Sequence, residues 1–193
     1  MEGSDAMSPS ARPDTRLTYD DLLLLPDDGL RHELIDGEHY VTPTPVLRHQ
    51  RLLGRLHLAV AEYVRAHPGC GEALLSPFDI VFSKWDVVEP DLMFIGGDQP
   101  HILTEKNIVG APALVVEILS PSTRKRDQTL KLRLFEKNGV REYWMVDPAQ
   151  DTVTIDRLDE NGTFTRSGVL GVDAVLTTPL LPGWSLPPSQ LFA

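Results

Sequence analysis

The chain predicts an α/β fold of the mixed (α+β) kind, with a central mixed β-sheet flanked by helices. Three observations predict it. From Val46 to about His67 the residues Leu52, Leu53, Leu56, Ala59, Val60, Tyr63 and Val64 recur at helical spacing, and Pro68-Gly69 closes the run. Ala113–Leu119 is a continuous apolar stretch interrupted by a single acid, as in a buried central strand. A helical segment and a second strand-like run follow it, which makes a strand–helix–strand unit. Asp36-Gly37 separates two short β-type runs, Arg31–Ile35 and Glu38–Val41, and Asp-Gly at that place signals a hairpin.

The remaining elements follow in order. Thr18 is placed to cap a short helix, Tyr19–Leu25, which Pro26-Asp27-Asp28-Gly29 stops. Pro43 and Pro45 end the hairpin. Phe78–Phe82 and Val87–Ile95 read as strands, with Gly96-Gly97 after the second. Residues 98–112 form a loop with room for one helical turn. Ser120-Pro121-Ser122-Thr123 offers caps for a helix lasting to Lys137, with Asn138-Gly139 as its C-cap. Glu142–Val146, Thr152–Leu158 and Thr163–Ser167 are strand-like. Pro179 to Phe192 is Pro-rich and apolar, expected to pack on the core as a tail. Residues 1–16 have the composition of a disordered tail, leaving 17–193 as a single domain.

Composition narrows the function classes. Of 193 residues, 41% are hydrophobic and 24% charged, and no apolar run approaches the roughly 18 residues of a membrane span. The N-terminus lacks the basic and apolar regions of a signal peptide, and Cys70 is the only cysteine, which excludes intrachain disulfides and cysteine-rich zinc sites. A cytoplasmic protein is expected. The net charge of −10 argues against a nucleic-acid partner, but it is unevenly placed. Residues 1–40 hold ten acids against three arginines, whereas residues 124–137 hold six bases against two acids. A hydrolase that meets DNA through a metal and one basic helix can be acidic overall.

Strand alternation isolates the candidate chemistry. In the 113–119 run Glu117 shares a face with Ala113, Val115 and Leu119; in the 87–95 run Asp91 shares one with Glu89, Met93 and Ile95. An ionised carboxylate in such a setting is costly unless it is paired or holds a cation. Two of them on neighbouring strands would make a hard-oxygen site of the kind Mg²⁺ prefers. The alternative is structural: Asp91 caps the turn after Pro90 and Glu117 pairs with an arginine. Spacing alone does not separate the two.

Read together, several segments resemble the Uma-type restriction endonuclease family, a bacterial branch of the PD-(D/E)XK nuclease superfamily. They are Arg31 to Glu38, Pro45 to His49, Pro90-Asp91, Gly110-Ala111-Pro112 through Glu117-Ile118-Leu119-Ser120-Pro121-Ser122-Thr123, Asp127 with Lys131, and Gly139 to Pro148. The resemblance covers roughly residues 17–192. It implies a restriction-endonuclease-like core with the active site where the central strands part. It implies that Asp91 and Glu117 are metal ligands, with the backbone carbonyl of Ile118 as a further one, and that Glu33 completes the site. The implied cofactor is Mg²⁺ or Mn²⁺ and the implied partner is DNA. The superfamily's lysine should lie two residues after the second acid, yet Leu119 stands there. The family supplies a lysine from the following helix, and Lys131 matches that position.

Lys131 also follows Asp127 by four residues, on one helix face, which fits a solvated ion pair equally well. The implied activity is metal-assisted hydrolysis of phosphodiesters, with Glu33, Asp91, Glu117 and Lys131 as the catalytic set. Arg124, Lys125 and Arg126 could contact neighbouring phosphates or merely solubilise the helix, and His49 could bind substrate or cap its helix. The competing reading is a nuclease fold that binds nucleic acid or a partner without cutting. Cleavage of both strands would suit a homodimer, for which Leu180, Leu181, Trp184, Leu186, Leu191 and Phe192 offer a surface, although the same side chains could seal their own core.

Overall fold

A computed structural model describes residues 16–193; the tail expected at the N-terminus lies, Arg16 apart, outside them. Two sheets organise the described residues. The six-stranded sheet has the order β11-β10-β9-β8-β6-β3, formed by Phe164–Leu170, Thr152–Leu158, Glu142–Asp147, Leu114–Ile118, Leu92–Gly96 and Gly71–Leu75 respectively. Only β8 and β9 in it are parallel, the pair that the strand–helix–strand pattern predicts; its other neighbours are antiparallel. The five-stranded sheet has the order β2-β1-β5-β4-β7, formed by Glu38–Thr42, Arg31–Ile35, Asp86–Val88, Ile80–Ser83 and Ile108–Val109. A two-stranded ribbon, β12 (Leu176–Thr177) with β13 (Ser185–Leu186), and a last helix α5 (Pro188–Phe192) complete the C-terminus.

Alternation along the central strands sorts the core into two layers. Leu92, Phe94, Leu114, Val116 and Ile118 face α2 (Leu47–Ala66), whose Leu52, Leu53, Leu56 and Val60 are buried against them. Met93, Ile95, Val115 and Leu119 face the opposite layer, with Leu134 and Phe135 of the helix after β8 and with Ile80 and Val88 of the second sheet. Strands of this kind, covered on both faces, read as unbroken apolar runs, and every residue of β6 and β8 is buried.

The hairpin forms as the sequence predicts, with Asp36 and Gly37 at φ 52° and 74°, the left-handed pair that an Asp-Gly turn supplies. Thr18 caps the short helix α1 (Tyr19–Leu22) in a capping box with Asp21. Gly139, at φ 83°, ends the helix after β8.

Two local expectations are corrected. The expected strand Val87–Ile95 is two strands: β5 and β6 belong to different sheets, and Glu89-Pro90-Asp91 is the crossing between them. Proline has no N–H for a ladder, so the chain leaves one sheet there and enters the other. Asp91 therefore lies just outside β6 rather than within a strand. The helix predicted through Lys137 is not uniform: α3 (Arg124–Arg126) opens into a π-helical segment, Asp127–Lys131, before α4 (Leu132–Asn138). The apolar tail is structured. As expected, it packs on the core: Leu181, Trp184, Leu186 and Leu191 are buried in the layer that holds α2, so these four side chains are not free to form a dimer surface.

Candidate active site

The crossing at Pro90 and the end of β8 bring the two strand acids together. Leu92 pairs with Val116 in the antiparallel β6–β8 ladder, and one further step sets Asp91 opposite Glu117. The Asp91 carboxylate spans the gap, since its Oδ2 accepts the Ile118 N–H at 2.7 Å. Two side chains also hold it: Arg31 Nη1 lies 2.8 Å from Oδ1, and His49 Nε2 donates to Oδ2 at 3.1 Å. Arg31 comes from β1 and His49 from the first turn of α2, so three separate elements converge on one carboxylate.

Glu117 points into the other layer, where Lys131 meets it. Lys131 Nζ lies 2.6 Å from Glu117 Oε1 and 2.6 Å from Glu33 Oε1, with Asp127 Oδ1 at 3.9 Å. All four sequence-predicted residues are thus within one connected cluster, and all are buried: Glu33 and Asp91 are 1% exposed, Glu117 3% and Lys131 2%. Lys131 is no solvated surface lysine.

The π-helical segment explains how a helix residue reaches so far inward. Such widened turns recur at functional sites. Thr129 Oγ1 donates to the Lys125 carbonyl at 2.6 Å, competing for an acceptor of the regular helical ladder. Tyr143 of β9, itself fully buried, donates to the Asp127 carbonyl at 3.2 Å and pins the segment to the central sheet. Arg126 fastens the same segment to the hairpin, with Nη2 2.6 Å from Thr42 Oγ1 and 3.2 Å from Glu33 Oε2, and its guanidinium over the Tyr40 ring.

The cluster is not fully satisfied. Glu33 Oε1 accepts the Glu89 N–H at 2.9 Å, but Glu33 Oε2 forms no hydrogen bond despite its proximity to Arg126, and neither Asp127 carboxylate oxygen is hydrogen-bonded. Buried acceptors without donors cost about 1–3 kcal/mol each, more when charged. The carboxylates titrate apart as a result. Burial pushes Glu117 well above the usual range, and the neighbouring acids Asp127, Asp91 and Glu33 push the same way against Lys131. Burial also works to raise Asp91, but His49, Arg31 and the Ile118 N–H outweigh it and hold Asp91 below its usual value. Burial raises Asp127 against Lys131 and Thr123. Glu89, beside the cluster, is raised to about 7 by burial and by Asp79 and Glu33. Burial opposes charge on Lys131, but the carboxylates around it keep it protonated. Acids pushed in opposite directions within one cavity are a recurrent property of catalytic sites.

A cavity of about 450 Å³ opens on this cluster, reaching Asp91, Glu117, Asp127 and Lys131 between the Thr42–Val46 and Leu119–Arg124 segments. Arg124, proposed from sequence as a phosphate contact, lines it but is already committed: its guanidinium clamps Asp147 with bonds of 2.6 and 2.7 Å. Lys125 is exposed on the outer side of its turn and does not line the cavity. Sequence reasoning missed Arg31 and Arg126 as site cations. The available signal was Arg31 two residues before Glu33, on the same strand face. For Arg126 the basic run Arg124-Lys125-Arg126 suggested a phosphate contact, but nothing in it signalled the pairing with Glu33.

These features belong to a nuclease-like fold, and the comparisons agree. Residues 19–189 match the model of the family described as "Uma2: Putative restriction endonuclease", and the chain belongs to that family. Membership supports a nuclease function in general terms. Among solved structures, the chain is similar to a crystal structure described as a putative nuclease belonging to DUF820 from Anabaena variabilis. The match has a TM-score of 0.77 at 22% identity over 91% of this chain and 97% of that one, a likeness of fold. No curated protein matches the chain. No helix among the described residues is long and apolar enough to cross a membrane.

Proposed function

We propose that the protein is a metal-dependent endonuclease of the PD-(D/E)XK type that hydrolyses DNA phosphodiesters in the cytoplasm, with Glu33, Asp91, Glu117 and Lys131 as its catalytic residues. The observation that carries this reading is the buried meeting of Asp91, Glu117 and Lys131 at the floor of a cavity. An acid–acid–lysine set of this kind, with the lysine delivered from a helix, is what a PD-(D/E)XK site calls for.

The donor set fits a hard divalent ion. The carboxylates of Asp91 and Glu117 and the backbone carbonyl of Ile118 would hold Mg²⁺ or Mn²⁺, both of which favour oxygen ligands. Buried oxygens on Glu33 and Asp127 that accept no hydrogen bond leave the cluster able to take up further positive charge, which is what such an ion would provide. Among the described residues no group of three or more acids or histidines stands already disposed as a ligand cage, because Arg31, His49 and Lys131 occupy the carboxylates. A bound divalent ion would lower the pKa of a coordinated water and neutralise charge on the phosphate oxygens.

The protein's own groups supply the rest. Lys131, kept protonated by three surrounding acids, stabilises charge that develops on the phosphoryl oxygens. Arg31 gives up its bond to Asp91 and turns to a non-bridging oxygen of the substrate, since a guanidinium is suited to bidentate phosphate contact. Glu33, with Glu117, fixes the Lys131 ammonium in place.

Incubation with a mixture of circular single-stranded DNA and supercoiled plasmid, with and without Mg²⁺ or Mn²⁺, tests the reading. Metal-dependent cleavage that is lost in Asp91→Asn and Glu117→Gln supports it. A protein that binds these DNAs yet cuts neither under any metal would instead be a non-cleaving member of the fold.

A further inference from the structure

We propose that the site takes a single strand of DNA, laid across the ridge Pro43-Thr44-Pro45, and excludes an intact duplex. The inference rests on the nuclease reading and adds its substrate class.

The first ground is depth. Asp91, Glu117 and Lys131 are each 3% exposed or less, at the bottom of a cavity of about 450 Å³. That volume is of the size that admits a small ligand and buries most of it. A phosphate in a duplex is flanked by its neighbours and backed by stacked base pairs, so it cannot descend to these carboxylates. A nucleotide of an unpaired strand can, as in enzymes that draw one nucleotide out of the stack to act on it.

The second ground is the shape of the approach. A second cavity, of about 330 Å³, lies on the far side of the same ridge, extending to Ser76, Pro77 and Glu89. The two share Arg31, His49, Asp91 and the Thr42–Pro45 segment as common lining. A strand with its scissile phosphate at Arg31 and Asp91 therefore has a place for the nucleotide on each side. Two prolines stiffen the ridge between those places.

The third ground is charge. Duplex-binding proteins neutralise many phosphates, commonly six to ten, with free basic side chains. Here the arginines that line the larger cavity are all engaged by acids: Arg31 with Asp91, Arg48 with Asp151, Arg124 with Asp147 and Arg126 with Glu33. With a net charge of −10, the chain has little with which to track a duplex backbone. A short contact with one or two phosphates at the shared wall is compatible with that balance.

The test compares a labelled 20-nucleotide single strand, the same sequence as a blunt duplex, and a duplex bearing a single-stranded flap, each with the full-length protein and Mn²⁺. Cleavage of the single strand and of the flap at least about tenfold faster than of the duplex is expected. The salt dependence of single-strand binding should correspond to one to three phosphates, at about 0.7 per phosphate in the logarithmic slope. Thr44 is exposed on the ridge, so Thr44→Trp should fold; it should slow single-strand cleavage about tenfold or more while leaving Mn²⁺ affinity unchanged. Duplex cleavage as fast as single-strand cleavage, or an indifferent Thr44→Trp, overturns the inference and leaves the nuclease reading standing. Cleavage of none of the three overturns both.

Discussion

Two buried carboxylates on neighbouring strands of the central sheet contrast a fully satisfied charge with a half-satisfied one. Glu142 on β9 is 2% exposed and fully satisfied: Arg157 Nε and Thr178 Oγ1 donate to its Oε1 at 2.9 and 3.0 Å, and Trp144 Nε1 donates to Oε2 at 2.8 Å. It fastens β10 and the C-terminal segment to the sheet. Glu117 on β8 is as deeply buried, yet it shares a single ammonium with Glu33 and stands near Asp127, whose oxygens accept no hydrogen bond. A half-satisfied buried network costs more than an apolar core of the same shape. The fold tolerates that cost at one end of the sheet and avoids it a strand away.

The contrast can be broken most forcefully at Lys131. Lys131→Met removes the one cation shared by Glu33 and Glu117, so cleavage should fall by about 10²-fold or more. Stability should also fall by about 3–5 kcal/mol, the usual cost of removing one partner of a buried pair. Adding Glu117→Gln to that variant should restore part of the stability and none of the activity, as urea unfolding combined with rate measurements would show. Unchanged stability in Lys131→Met would mean that the ammonium is not buried between the two acids.

Glu142→Ala is the counterpart. It strands the Trp144 and Thr178 donors and should cost about 2–4 kcal/mol in denaturant unfolding, while cleavage at a temperature where the variant is folded stays within about twofold of the parent. Loss of activity beyond the fraction unfolded would erase the distinction between the two acids.

A smaller effect sharpens the comparison through pH. The Asp91 pKa is depressed in the folded chain, because His49, Arg31 and the Ile118 N–H outweigh its burial. A depressed carboxylate contributes stability above its unfolded value near 3.9, and that contribution is lost as pH falls through the folded value. Asp91→Asn should therefore destabilise the fold near neutral pH, with the penalty fading below about pH 4. A penalty constant from pH 7 to pH 3 would locate the effect in packing rather than in charge.

Much of the architecture was legible because it rests on local rules. The 20-residue helix α2, the Asp-Gly hairpin, the Gly139 cap and the parallel β8–β9 unit all announce themselves through period, turn chemistry or a buried apolar run. The split at Glu89-Pro90-Asp91 was hidden because residues on both sides of the proline are β-formers, and only the tertiary fold sends them to different sheets. Strand β3 was missed because Gly71-Glu72-Ala73 carries little β propensity; its ladder with β6 decides the matter. Asp91 and Glu117 stood out as lone acids in apolar sequence. The side chains that hold Asp91 did not, since Arg31 and His49 arrive from two distant elements, β1 and α2.

The central claim is that Asp91 and Glu117 hold one divalent ion while Glu142 is structural. Isothermal titration of Mn²⁺ into the parent chain, Asp91→Asn, Glu117→Gln and Glu142→Gln addresses it directly. One ion per chain is expected in the parent and in Glu142→Gln, with binding abolished or weakened at least about tenfold in the other two. Equal affinity in all four proteins, or no binding to the parent, would contradict the account.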